Sequence, residues 1–381
     1  MKFEDKNNIL DRAFAKLNNQ ELELAEQDIE LNIERYISQD WFDSEYENMF
    51  LKIPRILIHN SELPDVNTFI TVNDFGKPLL ISRNSEHEVS AFLNVCRHRG
   101  ATLESKKRGC KRIFSCKYHS WCYDNNGKLK SIPKAKSFPS VKLGERNLIS
   151  VPIVEAFGFV WLMPEEGQTH NDIEVFLGGL TSDIDELDLN DYQIFGYKEL
   201  ICNANWKLIV EATMEAYHIP FLHRSSVNSI INDWVLFDQF GPHLRTFSSK
   251  RTLSLAKKIP NENISLRDYG NIIYTLFPHE TILHVSDHFF WMTSCPISPN
   301  ETLIKLRLLI PNGQMEEGDM KKWEDNRQFT YRIQDEDFEI CESIQRGFQS
   351  NYKESVIFGM QEKALQVYSH NIDKHMKKKN L

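Results

Sequence analysis

Cys96-Arg97-His98-Arg99-Gly100 and Cys116-Lys117-Tyr118-His119-Ser120-Trp121 are the two stretches on which the reading of this chain turns. Seventeen residues separate His98 from Cys116. Each run offers one thiolate and one imidazole, so together they supply four ligands for a cluster or for a single metal ion. A [2Fe–2S] cluster with two cysteines on one iron and two histidines on the other needs this set. Its neutral imidazoles take negative charge off the cluster and raise its potential. A structural Cys2His2 zinc site uses the same residue types. Zinc fingers, however, usually pair Cys with Cys and His with His along the chain, whereas here they alternate.

Outward from these runs, composition describes a globular protein. The 381 residues suffice for two or three domain-sized units. Hydrophobic residues make up 41% and aromatics 11%, far from the signature of a disordered chain. The net charge of −9 and pI near 5.8 give no footprint for nucleic acid. The basic run Lys377-Lys378-Lys379 reads as a solvated tail. The N-terminus lacks the apolar stretch of a signal peptide, and no run of about 18 apolar residues suggests a membrane span. Seven cysteines without such a signal read as cytoplasmic thiols and metal ligands, not as a disulfide framework.

Leu10 to about Tyr36 has the spacing of one or two amphipathic helices. From about Ile53, short apolar runs alternate with turn signals at Asn73-Asp74, Gly76-Lys77-Pro78 and Asn125-Asn126-Gly127. This predicts small antiparallel sheets up to Phe159-Val160-Trp161-Leu162. An acidic connection follows, from Pro164 to about Asp191. Trp206 to His218 reads as a helix stopped near Pro220, Asn271 to Leu309 as strands, and Met320 to about Gln349 as a long helix. A last helix is expected from about Gln361.

The chain continues far beyond Trp121, so the first constellation serves something else. Glu215-Ala216-Tyr217-His218-Ile219-Pro220-Phe221-Leu222-His223 holds the second. Histidines five apart on a continuous helix would point about 140° apart and could hardly share a metal. Pro220 removes that objection by breaking or distorting the helix between them. Alone, such a pair is more often structural than metal-binding.

Cys96-x-His98-Arg99-Gly100 with Cys116-x-x-His119-Ser120-Trp121 resembles the Rieske motif of bacterial ring-hydroxylating and related oxygenases. Glu215-x-x-His218-x-x-x-x-His223 resembles the mononuclear iron motif of that family, and the likeness runs from about Trp41 onward. It implies that Cys96, His98, Cys116 and His119 hold a 2Fe–2S cluster. His218, His223 and a later aspartate would hold a ferrous ion in a facial triad open to dioxygen. Asp337, with Glu342 five residues on, fits the family's carboxylate helix; Asp335 is the reserve. Asp335 and Glu336 otherwise read as solvated helix surface. Glu215 takes the place of the acidic bridge to a neighbouring subunit's Rieske histidine. Lys117 stands where the family often has proline, and Ala212-Thr213 where it often has Asn-Phe. Cys110 and Cys122 match no family ligand.

The resemblance implies an α+β fold: a helical N-terminal segment (1–45), an antiparallel Rieske domain (46–163) and a helix-grip catalytic domain (164–381). It further implies a terminal oxygenase, fed from NADH or NADPH by a flavin/iron–sulfur reductase. The assembly implied is a homotrimer in which electrons cross between subunits through His119, Glu215 and His218. Phe221, Phe277, Phe289, Phe290 and Trp291 are candidates to line a pocket for an aromatic ring or, by cation–π attraction, a quaternary ammonium. Ordinary core packing on alternating strand positions is the expected role of most of them. A glutamate at position 215 is familiar among relatives acting on quaternary amines such as carnitine. The rivals are a non-catalytic Rieske electron carrier or iron sensor, and a zinc-stabilised binding module.

Overall fold

The computed structural model describes residues 1–18, 24–350 and 355–377. Two compact units emerge, Ile53–Phe176 and a second made of Met1–Lys52 with Leu177–Leu381. The fold is α+β, with antiparallel sheets in both.

The unit Ile53–Phe176 holds three small sheets. The largest runs in the order Ser150–Val151, Val89–Leu93, Lys77–Arg83, Thr68–Asp74 and Arg108–Cys110. Strand side chains alternate between faces, and the consequence is two cores. Phe69, Leu80 and Phe92 join Cys96, Cys116, Trp121 and Tyr123 on one side. Ile70, Leu79, Ile81 and Ala91 join Leu57, Ile58, Val160 and Leu162 on the other. The expected turn at Asn125-Asn126-Gly127 is present. Gly127 sits at φ +75°, where a Cβ would fall 2.4 Å from the Phe92 ring, so this position needs glycine twice over.

The larger unit is built on seven antiparallel strands, in the order Tyr192–Cys202, Glu301–Pro311, His288–Ser298, Glu280–Val285, Gly270–Leu276, His243–Lys250 and Ile231–Phe240. The long helix Glu317–Gln349 grips one face. Its Trp323, Tyr331, Phe338, Cys341 and Phe348 pack against Phe290, Met292, Ile304, Leu306 and Leu308 of the sheet. A closing helix spans Lys363–Lys377, while Lys378 and Lys379 lie outside the described residues.

Three expectations need correction. The helical reading of residues 10–36 holds at its two ends, in the helix Phe3–Leu17 and the short helix Glu34–Ile37, and residues 19–23 of it lie outside the described residues. Ile29–Asn32 is instead a strand paired with Ser355–Phe358, a long-range partner that local spacing cannot reveal. The expected helix Trp206–His218 covers only Trp206–Glu211. Asn205 caps its start, Lys207 N–H donating to Asn205 Oδ1 at 3.0 Å. At its end Thr213 Oγ1 donates to Val210 O at 2.7 Å, taking up a terminal carbonyl as the chain leaves the helix. Finally, the strands Tyr192–Cys202, Ile231–Phe240 and His243–Lys250 extend the sheet well beyond residues 271–309.

Candidate active site: two metal-binding constellations

Loops 96–101 and 116–121 fold as near copies. Cys96 N–H donates to Ala101 O at 2.8 Å and Gly100 N–H to Cys96 O at 3.0 Å. In the second loop Cys116 N–H donates to Trp121 O at 2.9 Å and Ser120 N–H to Cys116 O at 2.8 Å. The fifth residue of each, Gly100 at φ +81° and Ser120 at φ +54°, closes the hook in the left-handed region.

Each hook buries its cysteine and brings its histidine toward the other. Cys96 and Cys116 are both buried, with thiols in hydrogen-bonding range of each other. The rings of His98 and His119 lie 4.6 Å apart, inclined at 71°. Trp121 stacks on His98 at 4.9 Å, and Tyr118 lies 3.7 Å from His119. Burial pushes the Cys96 thiol up, against the pull of the His98 N–H and the Tyr123 hydroxyl. Desolvation, with His119 and Arg99 nearby, lowers the pKa of His98 and so favours the neutral form that binds a metal. His119 Nδ1 is shut off from solvent without a hydrogen-bond partner. A lone pair stranded this way is costly unless a metal accepts it, so these four residues fit an iron–sulfur cluster. Lys117 reaches sideways, its Nζ donating to Ser105 Oγ at 2.8 Å. Cys110 is exposed and Cys122 half-buried against Ser120 O, both apart from the four.

The second constellation closes across the larger unit. Among the described residues, His218, His223 and Asp337 offer ligand atoms that all lie within 4.8 Å of one another. Asp337 Oδ1 is 2.9 Å from His223 Nε2 and 3.8 Å from His218 Nε2. The helix has already ended at Glu211, and successive turns carry the chain from Ala216 to His223. Ile219 N–H donates to Ala216 O, and Leu222 and His223 N–H to His218 O and Ile219 O. Pro220 has no N–H to lose there, and the two imidazole centres come within 5.0 Å.

Carboxylates set both rings. His218 Nδ1 donates to Glu215 Oε1, while Glu215 Oε2 accepts the backbone N–H of Tyr217 and of His218. His223 Nδ1 donates to Glu336 Oε2 at 2.6 Å, and Ser226 Oγ reaches the same oxygen at 2.8 Å. With Nδ1 protonated in both rings, each Nε2 presents a lone pair toward Asp337. Asp337 Oδ1 is buried and makes no hydrogen bond. Three proton-free acceptors converging in a buried space repel one another unless a cation lies between them, so this set fits a metal ion. Burial opposes charging of His223, but Asp337 and Glu336 outweigh it and raise its pKa, so without a metal a proton on Nε2 takes the place the cation would fill.

Glu336 overturns its reading as solvated surface. Neighbours on a helix point about 100° apart, so Glu336 and Asp337 grasp His223 by opposite nitrogens. No spacing rule marks such a residue, because the partner histidine lies 113 positions away. Asp335, the reserve ligand, points elsewhere and pairs with Lys198 at 2.7 Å. Glu342 anchors the helix, its Oε1 accepting from the N–H of Asn203 at 2.8 Å.

A cavity of about 310 Å³ opens from Glu215, His218, His223 and Asp337 between the sheet and the long helix. Ile231, Ile273, Leu283, Met292 and Ile333 make it mainly apolar. Of the five expected aromatics only Phe290 lines it, joined by Phe329. Phe289 and Trp291 face the other side of the sheet, against His284 and Glu280, because strand neighbours alternate. Phe277 packs on Tyr368, and Phe221 is 72% exposed.

Known proteins resemble the chain in both units. Residues 54–144 match the family model of the Rieske [2Fe-2S] domain, and residues 189–378 that of the ring hydroxylating alpha subunit (catalytic domain). The anthranilate 1,2-dioxygenase large subunit of Acinetobacter baylyi is 26% identical over 65% of this chain, which spans 54% of that relative. The carnitine monooxygenase oxygenase subunit of Escherichia coli is 25% identical over 83% of each chain. In fold, the crystal structure of the quaternary ammonium Rieske monooxygenase CntA with an inhibitor matches 93% of this chain and 96% of its own. That match has a TM-score of 0.79 at 22% identity. Among the described residues, no helix is long and apolar enough to cross a membrane.

Proposed function

Since this chain belongs to the Rieske non-haem iron oxygenases, with a Rieske [2Fe-2S] domain and a ring-hydroxylating alpha-subunit catalytic domain, we propose that it is a terminal oxygenase that hydroxylates an apolar, preferably aromatic, small molecule. The observation carrying this reading is that His218, His223 and Asp337 open directly onto a mainly apolar cavity. As a member of this family the chain is an oxidoreductase that takes a Rieske cluster and a mononuclear iron.

In this reading Cys96, His98, Cys116 and His119 hold the cluster, and His218, His223 and Asp337 the iron. The chemistry supplied by the bound metals is one-electron transfer at the cluster and dioxygen activation at the ferrous ion. The residues do the rest. Glu215 and Glu336 keep the protons on Nδ1 of His218 and His223, so both Nε2 lone pairs stay aimed at the metal position. The aliphatic wall excludes water and holds the substrate beside that position. Glu215 is also the bridge by which an electron reaches His218 from His119 of a neighbouring copy in a cyclic homotrimer. A separate flavin/iron–sulfur reductase supplies the electrons from NADH or NADPH, in the cytoplasm.

A second reading, oxidation of a quaternary ammonium, is favoured by the glutamate at position 215 and by the length of the match to the carnitine monooxygenase subunit. The cavity argues against it. Apart from Glu215 and Asp337 its lining has no carboxylate, its aromatics are Phe290 and Phe329, and Lys250 adds a positive charge.

A single-turnover assay decides between them. Iron-loaded, chemically reduced protein is mixed with oxygen and a panel of aromatic and trimethylammonium compounds, and products are identified by mass. A hydroxylated or dihydroxylated aromatic product is expected. A demethylated or cleaved amine establishes the second reading. No product from any compound, with both metals in place, favours an electron carrier or iron sensor.

A further inference from the structure

The cavity beside His218, His223 and Asp337 has two ends of different character. On the long helix its wall is formed by Asn326, Phe329, Ile333 and Asp337, spaced three or four residues apart and so on one face. Asn326 precedes Asp337 by 11 residues, about 16 Å along the helix axis. The sheet runs the same way. Its turn at 286–287 meets the helix near Asn326, where Lys322 pairs with Asp287 and the Trp323 ring lies 5.6 Å from that of His288. Lys250 Nζ donates to Ser286 Oγ of this turn at 3.1 Å, so Lys250 belongs to the end far from the metal position.

Between the two ends Ile273, Leu283, Phe290 and Ile333 make an apolar waist. The far end is polar, with Lys250, Asn271, His288 and Asn326 on its wall. Its charge is one-sided. Glu215 and Asp337 are the only carboxylates among the described lining residues, and both stand at the metal position, where a ferrous ion would offset them. Desolvation lowers the pKa of His288 and favours its neutral ring. Lys250 is then the one uncompensated charge on the lining. Among the described residues no carboxylate pairs with it directly, and Asp268 and Asp287 act on it only from a distance. Its ammonium is fixed by Arg267 O at 2.9 Å, Asp268 O at 3.3 Å and Ser286 Oγ at 3.1 Å. Burial works against this charge, and an anion seated beside it would recover that cost. Asn271 stands ready as a direct donor, since neither end of its amide has a hydrogen-bond partner.

We propose, on the reading that this is an oxygenase site, that the substrate is an apolar ring body with one acidic end group, held with its carboxylate at Lys250 and Asn271 and its far ring at the metal position. The apolar waist takes the ring body, and the length of the cavity suits about two rings. The acid end accepts from the Asn271 amide and takes over the longest of the Lys250 bonds, the one to Asp268 O. Lys250 and Asn271 are therefore positioning residues. They decide which end of the molecule faces the metal, because turning the substrate round would bury its carboxylate beside Glu215 and Asp337.

Calorimetry on the resting, metal-loaded full chain tests this without turnover. The probes are biphenyls of one shape carrying a para carboxylate, carboxamide or aminomethyl group, so that only the charge of the end changes. The parent should bind the carboxylate about tenfold more tightly than the carboxamide, and the amine most weakly. Lys250→Met should erase that preference while leaving carboxamide binding within about twofold, which separates a lost charge from a lost fold. Lys250→Arg should keep the preference, and so should Lys257→Met, an equal loss of charge at an exposed position outside the cavity. In single turnover the parent should place oxygen on the ring remote from the carboxylate. Equal binding of carboxylate and carboxamide, tightest binding of the amine, a preference that survives Lys250→Met, or no binding of any probe overturns the proposal. So does oxygen on the acid-bearing ring. A charge preference that follows Lys250 in a protein that oxidises nothing leaves the subsite standing and refutes the oxygenase reading instead.

Discussion

The hydroxyl of Tyr123 stands 3.6 Å from Cys96 Sγ while accepting the backbone N–H of Arg97 at 3.1 Å. With Cys96 as a thiolate, the hydroxyl is the donor of this pair. A hydrogen bond to a cluster ligand stabilises the reduced, more negative state. Tyr123→Phe should therefore lower the reduction potential. A bond of about 0.5–1.5 kcal/mol corresponds to about 20–60 mV for a one-electron couple. A spectroelectrochemical titration measures the shift, and an unchanged potential removes Tyr123 from the tuning of the cluster.

Glu336→Gln separates orientation from ligation. The variant keeps His218, His223 and Asp337 but loses the carboxylate that fixes the His223 tautomer. Loss of such a partner typically costs 10- to 100-fold in metal affinity. Chelator competition should show that drop at the mononuclear site while the cluster's visible spectrum is preserved. Asp337→Asn should go further, removing the mononuclear iron and leaving the cluster irons, which iron and labile-sulfide assays distinguish.

Glu215→Gln should keep both metals and lose most turnover. The amide still accepts from backbone N–H groups but cannot hold the negative charge beside His218. Rapid-mixing spectroscopy should show the cluster reduced at the parent rate and reoxidised slowly in the presence of substrate and oxygen. Parent-like turnover would dismiss the bridge.

Glu280 makes stability depend on pH. Its carboxyl is buried, accepting from Trp291 Nε1 at 2.7 Å and Thr293 Oγ1 at 2.8 Å. Burial pushes it up to about 7, against those hydrogen bonds and against Arg307 and Lys305. An acid raised on folding holds its proton more tightly in the folded state. Its contribution is full below about pH 4.5 and fades as pH rises through 7. The amount at stake is at most about 3 kcal/mol, from 1.36 kcal/mol per unit. Denaturant unfolding at pH 5.5 and pH 8 should show a loss of stability in the parent and a shallower one in Glu280→Gln.

Most of the two candidate metal-binding constellations was legible in the sequence because their cysteines and histidines are close together along the chain; Asp337 came from the family resemblance. Cys-x-His, Cys-x-x-His and the pair His218 and His223 are short-range patterns with few uses. What escaped depended on partners distant in the chain or on parity along a strand. Glu336 meets a histidine 113 residues away, and Ile29–Asn32 finds its strand partner at Ser355–Phe358. Phe289, Phe290 and Trp291 read alike in sequence, yet only the middle one faces the cavity, since a strand reverses direction at every residue. The overlong helix at Trp206 came from extending apolar spacing past Glu211, where the chain leaves the helix.

The grasp of His223 by Glu336 and Asp337 has a mechanical side. An ion seated among His218, His223 and Asp337 would act as a rivet, tying an irregular stretch of turns to the middle of a 33-residue helix across more than a hundred intervening residues. The stretch 212–230 has no ladder of strand hydrogen bonds of its own to hold it in place. Its order then becomes a function of iron supply, and iron-starved protein would be clipped by proteases there first while the sheet beneath stays whole.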